Sequence, residues 1–165
     1  MNYPNYWHSG MPETPCGKGA RIAETELIRQ ELPKLVHSYK IQSIADVGCG
    51  DQNWMNEIKW LDTVAVQGFD AHPRERMIIE FDCTREIVPA AFDMIQCIYV
   101  LNHLYAPGAV EAAINNFKRS GIPWLFATYC DIDGLPGLEP TEILHHKTKR
   151  GFEKTRVWSY GLFRL

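Results

Sequence analysis

No run of apolar residues in this chain approaches the ~20 that a bilayer-spanning helix needs. The opening residues, Met1 to His8, lack both a basic start and an apolar stretch, so no secretory signal is expected there. The expected location is cytoplasmic. Paired cysteine motifs are also missing. Five cysteines (Cys16, Cys49, Cys83, Cys97 and Cys130) are scattered and odd in number, and none is spaced Cys-x-x-Cys. That argues against a disulfide framework and against a zinc site, and it suits a reducing compartment. Cys49, Cys83 and Cys97 fall in or beside apolar runs, where a thiol is usually a small buried hydrophobe. A basic excess is absent too: 17 lysines and arginines face 20 acids, a net charge of −3. Nucleic acid is therefore disfavoured as a tightly held partner.

What is present is ordinary globular material, 45% apolar and 22% charged. Its 165 residues suit one domain, 1–165, that buries roughly 70% of its unfolded surface without staples. Residues 1–19 are rich in Pro, Gly and aromatics and read as an irregular arm. Tyr3, Tyr6, Trp7 and His8 in it are candidates to cover a pocket, with packing on the domain surface as the plainer alternative. Apolar residues at helical spacing mark 20–38 as a helix, which Pro33 should kink or split.

Short apolar runs between turn signals follow. Strands are expected at 43–47, 64–70, 77–81, 94–98 and 124–129, a short helix at 52–60, and a helix opened by Pro107-Gly108 and stopped by Gly121. The strands are nearly continuous apolar runs, as in a sheet covered on both faces. Alternating strands and helices predict a doubly wound, mainly parallel α/β sheet. Segments 143–148 and 156–165 read as a terminal antiparallel hairpin. Only six residues separate the second and third strands, too few for a crossover helix. The sheet face there should be covered by the arm or by a second subunit, so a homo-oligomer is one expectation.

Asp46-Val47-Gly48-Cys49-Gly50 follows the first strand. A Gly-x-Gly turn lets the backbone approach a ligand, and a helix start after it would offer free N–H groups. Asp70 lies 20 residues after Gly50, at the end of the next strand, where an acid accepts bonds from ribose hydroxyls. The third glycine of a dinucleotide fingerprint is replaced by Asn53. Asp51 in the turn would repel a pyrophosphate. An acidic turn with Asp46 and Asp51 better suits S-adenosylmethionine, which has no phosphate and carries a sulfonium and an amino group. A tight strand-to-helix turn with no ligand is the plainer alternative.

The run Ser43-Ile44-Ala45-Asp46-Val47-Gly48-Cys49-Gly50-Asp51-Gln52-Asn53-Trp54-Met55 resembles the first motif of class I S-adenosylmethionine-dependent methyltransferases. It is especially similar to small bacterial and phage members with a C-G-D-x-N-W-M turn. Asp82-Cys83-Thr84, Leu101-Asn102-His103-Leu104 and the closing Gly161-Leu162-Phe163-Arg164-Leu165 extend the resemblance. It implies a Rossmann-like sheet of seven strands, mostly parallel, with an antiparallel C-terminal strand. It implies that Asp46, Gly48 and Gly50 line the methionine end of the cofactor, with Cys49 and Asp51 of the same turn also contacting the cofactor. Asp70 would hold the ribose, and Asp82 with the Cys83 backbone the adenine. Tyr99 and Asn102 would border the methyl group.

The chain departs from that family in the missing helix between strands two and three, in Ile98-Tyr99 where an Arg-Asp pair is common, and in a short segment after Tyr129. An Asn-Pro-Pro-Tyr signature is absent, which argues against methylation of base amino groups. The expected acceptor is a small molecule such as a sugar, nucleoside or metabolite. His103 is the candidate base if the acceptor is a hydroxyl, and Tyr99 shapes the methyl pocket; both have packing roles as alternatives. Tyr129 and Asp131 follow the fifth strand, where substrate approaches in such folds. His145-His146 lack the partners of a metal site. A non-catalytic binding or assembly protein and a nicotinamide-dependent oxidoreductase are the competing readings.

Overall fold

The computed structural model of the chain describes residues 13–129, 135–150 and 154–165. Residues 1–12 of the irregular arm, with Tyr3, Tyr6, Trp7 and His8, lie outside the described residues, as do Cys130 and Asp131. Seven strands form one sheet: β1 (Ser43–Val47), β2 (Ala65–Asp70), β3 (Ile79–Glu80), β4 (Met94–Cys97), β5 (Trp124–Thr128), β6 (Pro140–Arg150) and β7 (Lys154–Arg164). Their order is β3-β2-β1-β4-β5-β7-β6. Strands β1 to β5 pair in parallel. β7 inserts antiparallel between β5 and β6. The sheet and its terminal hairpin agree with the reading of the sequence.

Among the described residues, each face carries one α-helix. α1 (Glu26–Ser38) buries Ile28, Leu32, Leu35 and Val36, a stripe at 0, 4, 7 and 8. They pack with Ile44, Met94, Phe126, Tyr160 and Leu162 on one face of the sheet. α2 (Ala109–Arg119) buries Ala113, Ile114 and Phe117 against Ala45, Ile95, Leu125 and Phe163 on the other. Successive residues of β1, β4 and β5 therefore alternate between two cores, and these strands are mostly apolar. Lys118 and Arg119 in the last turn of α2 complement its dipole.

Two helix expectations change. Pro33 neither splits the first helix nor ends it: α1 runs from Glu26 to Ser38 with Pro33 buried inside. A proline forfeits one backbone bond there, and packing of the flanking stripe holds the turn in place. The stretch 52–60 is not a helix but a single three-residue 3-10 turn, Met55–Glu57. Gln52 has φ 54° and starts it from the left-handed region. Ile58 leaves the turn in an extended conformation, so the helix does not propagate, although Trp54, Met55 and Ile58 are all buried.

No helix crosses between β2 and β3, as the spacing required. Met77 (81% exposed) and Ile79 (47%) stay open at this edge among the described residues. Cover by the arm would involve residues outside those described. Likewise among described residues, no helix is long and apolar enough to cross a membrane, and no group of three metal-ligating side chains occurs.

Candidate functional site

The turn after β1 is built by two glycines in the left-handed region, Gly48 at φ 74° and Gly50 at φ 60°. A Cβ on Gly48 would meet Val100 Cγ2 at 2.2 Å, so the loop after β4 is pressed against this backbone. The turn's amides are turned inward. Gly48 N and Cys49 N donate to Phe69 O at 2.7 and 3.2 Å, and Gly50 N donates to Asp70 Oδ2 at 2.9 Å. Gln52 N donates to Cys49 O and Asn53 N to Asp51 Oδ1. The expected free N–H groups at a helix start are thus not there. The β2 end takes the amides, and the segment that follows is a 3-10 turn too short to carry a useful dipole. Such a loop offers no nest for a phosphate.

Beneath the turn, Asp46 is 3% exposed. Its Oδ1 accepts from Gln96 Nε2 at 2.8 Å, and the Gln52 side chain also bonds to it. Burial pushes its carboxyl up to about 7, against which the two amide donors pull only partly. Asp46 is thus the floor of the site. Gln96 was missed in the sequence, yet it left a signal: a polar residue inside Met94-Ile95-Gln96-Cys97, a strand buried on both faces, must find a partner.

At the end of β2, both oxygens of Asp70 are engaged, Oδ2 by Gly50 N and Oδ1 by His72 N at 2.8 Å. Asp70 is half-buried and ties two loops together, and each oxygen retains a second lone pair for a hydroxyl donor. Asp82 follows β3. Its Oδ1 accepts from Thr84 N and Thr84 Oγ1, and Oδ2 faces Arg85 Nε at 3.5 Å. Cys83 is buried, and its carbonyl accepts from Asn116 Nδ2 of α2 at 3.0 Å. Burial pushes the Cys83 thiol up to about 12 and raises Cys49 and Cys97 as well. These thiols are packing groups rather than nucleophiles.

The β4 end holds the polar groups expected near a reacting atom. Tyr99 has φ 57°, a strained value for an aromatic residue. Its amide donates to Thr128 Oγ1 at 3.0 Å, and its hydroxyl bonds to that of Tyr160, which is fully buried. Asn102 Oδ1 is buried and makes no hydrogen bond. Its Nδ2 lies 3.4 Å from His103 Nε2, and His103 Nδ1 lies 3.2 Å from Tyr105 Oη. Desolvation lowers the His103 pKa, so its imidazole is neutral near pH 7.

Residues 13–22 form a strap over this ground. Thr14, 1% exposed, donates to Asp51 Oδ2 at 2.6 Å. Glu13 Oε1 accepts from Ile22 N and Asn53 Nδ2, and Asn53 Nδ2 also reaches Ala20 O. Cys16 Sγ sits 2.8 Å from where a Gly50 Cβ would be, and the Tyr99 ring lies against Gly19. The strap therefore touches both the β1 turn and the β4 loop. Nothing in the local sequence marks Thr14 or Tyr160 as part of a site; both arrive by long-range packing.

Of the candidates named from the sequence, the fold gathers Asp46, Gly48, Cys49, Gly50, Asp51, Asp70, Asp82, Cys83, Tyr99, Asn102 and His103 at the carboxyl ends of β1 to β4. That is where ligands bind in open α/β sheets. Tyr129 is not among them. It follows β5 on the opposite face from Tyr99, edge-on to Phe163, and lines a hollow of about 530 Å³ with Leu135, Pro140 and Ile143. His145 and His146 lie in β6.

The site's donor set suits a particular kind of ligand. Its amides are tied internally. Asp46, Asp51, Asp70 and the orphaned Asn102 Oδ1 leave it rich in acceptors. Acceptors and acids recognise a ligand that is cationic and hydroxyl-bearing, and S-adenosylmethionine fits that description.

No protein-family profile matches the chain, and no curated protein does. Solved structures do. The N-methyltransferase NodS from Bradyrhizobium japonicum WM9, in complex with S-adenosyl-L-homocysteine, superposes with TM-score 0.64 at 16% identity, over 99% of this chain and 93% of that one. Magnesium protoporphyrin IX methyltransferase from Synechocystis PCC 6803, with bound S-adenosylmethionine, gives 0.52 at 13%, over 95% and 88%. A Methanosarcina mazei S-adenosylmethionine-dependent methyltransferase gives 0.56 at 10%, over 79% and 96%. At these identities the shared property is the fold: a Rossmann-like sheet of the methyltransferase type.

Proposed function

We propose that the chain is an S-adenosylmethionine-dependent methyltransferase acting on a small-molecule acceptor. The observation that carries this is the inward-turned amides of Gly48, Cys49, Gly50, Gln52 and Asn53 beside a surplus of acceptors, which favours a sulfonium ligand over a pyrophosphate. The folds of the two ligand-bound methyltransferases above support the same reading. It also disfavours a nicotinamide cofactor, whose pyrophosphate needs free turn amides.

When bound, the cofactor supplies an electrophilic methyl group. The protein's part is placement, since in-line displacement depends chiefly on proximity and orientation. Gly48 and Gly50 let the loop after β4 and the strap close tightly on the turn beside the ligand. Asp70 offers its remaining lone pairs to ribose hydroxyls, and Asp82 and the Cys83 backbone border the adenine. Asn102 Oδ1 accepts from the amino group. Tyr99, held by Tyr160 and Thr128, walls the methyl, and the strap keeps water from it. His103, neutral near pH 7, takes the proton from a hydroxyl acceptor.

Calorimetry with S-adenosylmethionine, S-adenosylhomocysteine and NAD tests this directly. Micromolar binding of the first two is expected, at least tenfold weaker in Asp70→Asn, which keeps an oxygen for the Gly50 amide. Binding of NAD alone overturns the reading. Binding without transfer to any acceptor moves the protein to the non-catalytic class.

A further inference from the structure

Gln96 and Asp46 are direct partners in the parallel pairing of β4 with β1. Two residues earlier in each strand stand Met94 and Ile44, which pack with α1. Side chains two apart share a face, so Asp46 and Gln96 continue that face toward the Gly48–Gly50 turn. Their contact is made by one end of the amide. Gln96 Nε2 donates to Asp46 Oδ1 at 2.8 Å and lies 3.5 Å from Met55 Sδ. Gln96 is 0% exposed, and its Oε1 makes no hydrogen bond among the described residues.

A buried acceptor without a donor forfeits its hydration and gains nothing in return. An apolar side chain of similar length would avoid that loss, and the neighbours Met94, Ile95 and Cys97 are all apolar. The glutamine is therefore unfavourable to the core at its oxygen and useful only at its nitrogen, where it meets Asp46. A hydrogen bond donated to a carboxylate favours the charged form, whereas burial disfavours it. Burial and the charge of Asp70 act against ionisation of Asp46, and the Gln96 and Gln52 side chains act for it. Cys49 and Cys97 also feel Asp46, but burial raises both thiols and they stay neutral. With the opposing influences this closely matched, one donor tips the balance.

We propose that Gln96 is a positioning residue of the cofactor site. It holds the Asp46 carboxyl in one orientation and in its anionic form beneath the turn, where that charge draws in the cationic end of the cofactor. Gln96 is fully buried, so it acts through Asp46 and not on the ligand itself. Its hold on Asp46 stands by itself; the service to the cofactor rests on the reading proposed above. By linkage, a cationic ligand that favours ionised Asp46 binds more weakly as pH falls through the midpoint of that carboxyl.

The test uses the full chain with Gln96→Met, Gln96→Asn and Asp46→Asn. A carboxyl carbon NMR titration without ligand follows the one resonance that Asp46→Asn removes. Its midpoint, about 7 in wild type, should rise by about one pH unit in both Gln96 variants, since Met has no donor and Asn falls one carbon short. S-adenosylhomocysteine affinity, measured by calorimetry, should then drop about fivefold at pH 7 and less than about twofold at pH 8.5, where both proteins are ionised at Asp46. A merely structural role would cost the same at both pH values. An unmoved midpoint, equal losses at the two pH values, or variants unfolded even at pH 5.5, where Asp46 is neutral and needs no donor, overturns the proposal. Absent S-adenosylhomocysteine binding in wild type would instead sink the cofactor reading, with the Asp46 midpoint still measurable alone.

Discussion

The hydroxyls of Tyr99 and Tyr160 are hydrogen-bonded to each other, joining the end of β4 to the last strand across 61 residues of sequence. Their rings meet edge-on at 6.0 Å. This contact fixes a residue whose backbone is strained and places it beside the candidate reaction centre. Tyr99→Phe and Tyr160→Phe should each lower the unfolding free energy by about 1 kcal/mol. In a double-mutant cycle by urea denaturation the double variant should lose clearly less than the sum. Strict additivity would show that the pair carries no coupling.

Gly48 is the tightest point of the site. In Gly48→Ala the new methyl meets Val100 at 2.2 Å, and φ stays at 74°. Left-handed strain and overpacking together should cost about 3 kcal/mol. Adding Val100→Ala should restore the packing part and leave the backbone part. Thermal melts of the two variants separate these contributions, and a Gly48→Ala protein as stable as wild type would contradict the geometry.

Thr14→Val removes the bond from the strap to Asp51 while keeping the shape of the side chain. Residues 13–22 should then open locally, at a cost of about 1 kcal/mol. Trypsin cleavage after Lys18 or Arg21 under native conditions is the measurement. Faster cleavage with unchanged global stability is expected; an unchanged rate would mean that the other strap contacts suffice.

Asp46 makes stability fall as pH rises. Its folded pKa, about 7, lies above the ordinary 3.8, so the native state holds the proton more tightly than the unfolded chain does. The stabilisation is complete below about pH 4 and is lost as pH approaches 7. Between pH 5 and 7 wild type should lose about 2 kcal/mol that Asp46→Asn does not lose. Parallel pH profiles for the two proteins would refute the assignment.

His103 shifts the other way. Burial favours its neutral form, so its midpoint lies below the ordinary 6.5. In a proton NMR titration one histidine C2–H resonance, absent in His103→Gln, should move with an apparent midpoint under 6.5. If the reaction uses this imidazole as base, activity falls on the acid side of that midpoint and is flat above it. A midpoint at or above 6.5 removes the desolvation argument.

Local patterns in the chain carried much of the architecture. Nearly continuous apolar runs ending in Gly48, Asp70 and Asp82 announced parallel strands, and the six-residue gap ruled out one crossover helix. The Gly-x-Gly turn and the acid 20 residues later marked the candidate site, and the fold joins them through the bond from Gly50 N to Asp70. Pro33 misled because helix rules weigh the lost bond and not the packed stripe around it. The stretch 52–60 misled because Trp54, Met55 and Ile58 stand at helical spacing, yet Gln52 enters at φ 54° and Ile58 leaves in an extended conformation, so only one 3-10 turn forms.

By itself, then, the sequence determined the strand set, the terminal hairpin and the acids that crown the strands, since each depends on spacing within a few residues. Tertiary structure alone decided how those groups are used. It turned the amides of the Gly48 loop toward Phe69 and Asp70, set Gln96 under Asp46, laid Thr14 over Asp51 and joined Tyr99 to Tyr160. These partners lie 20 to 61 residues apart, and a hydrogen bond between distant groups exists only once the sheet has fixed both ends.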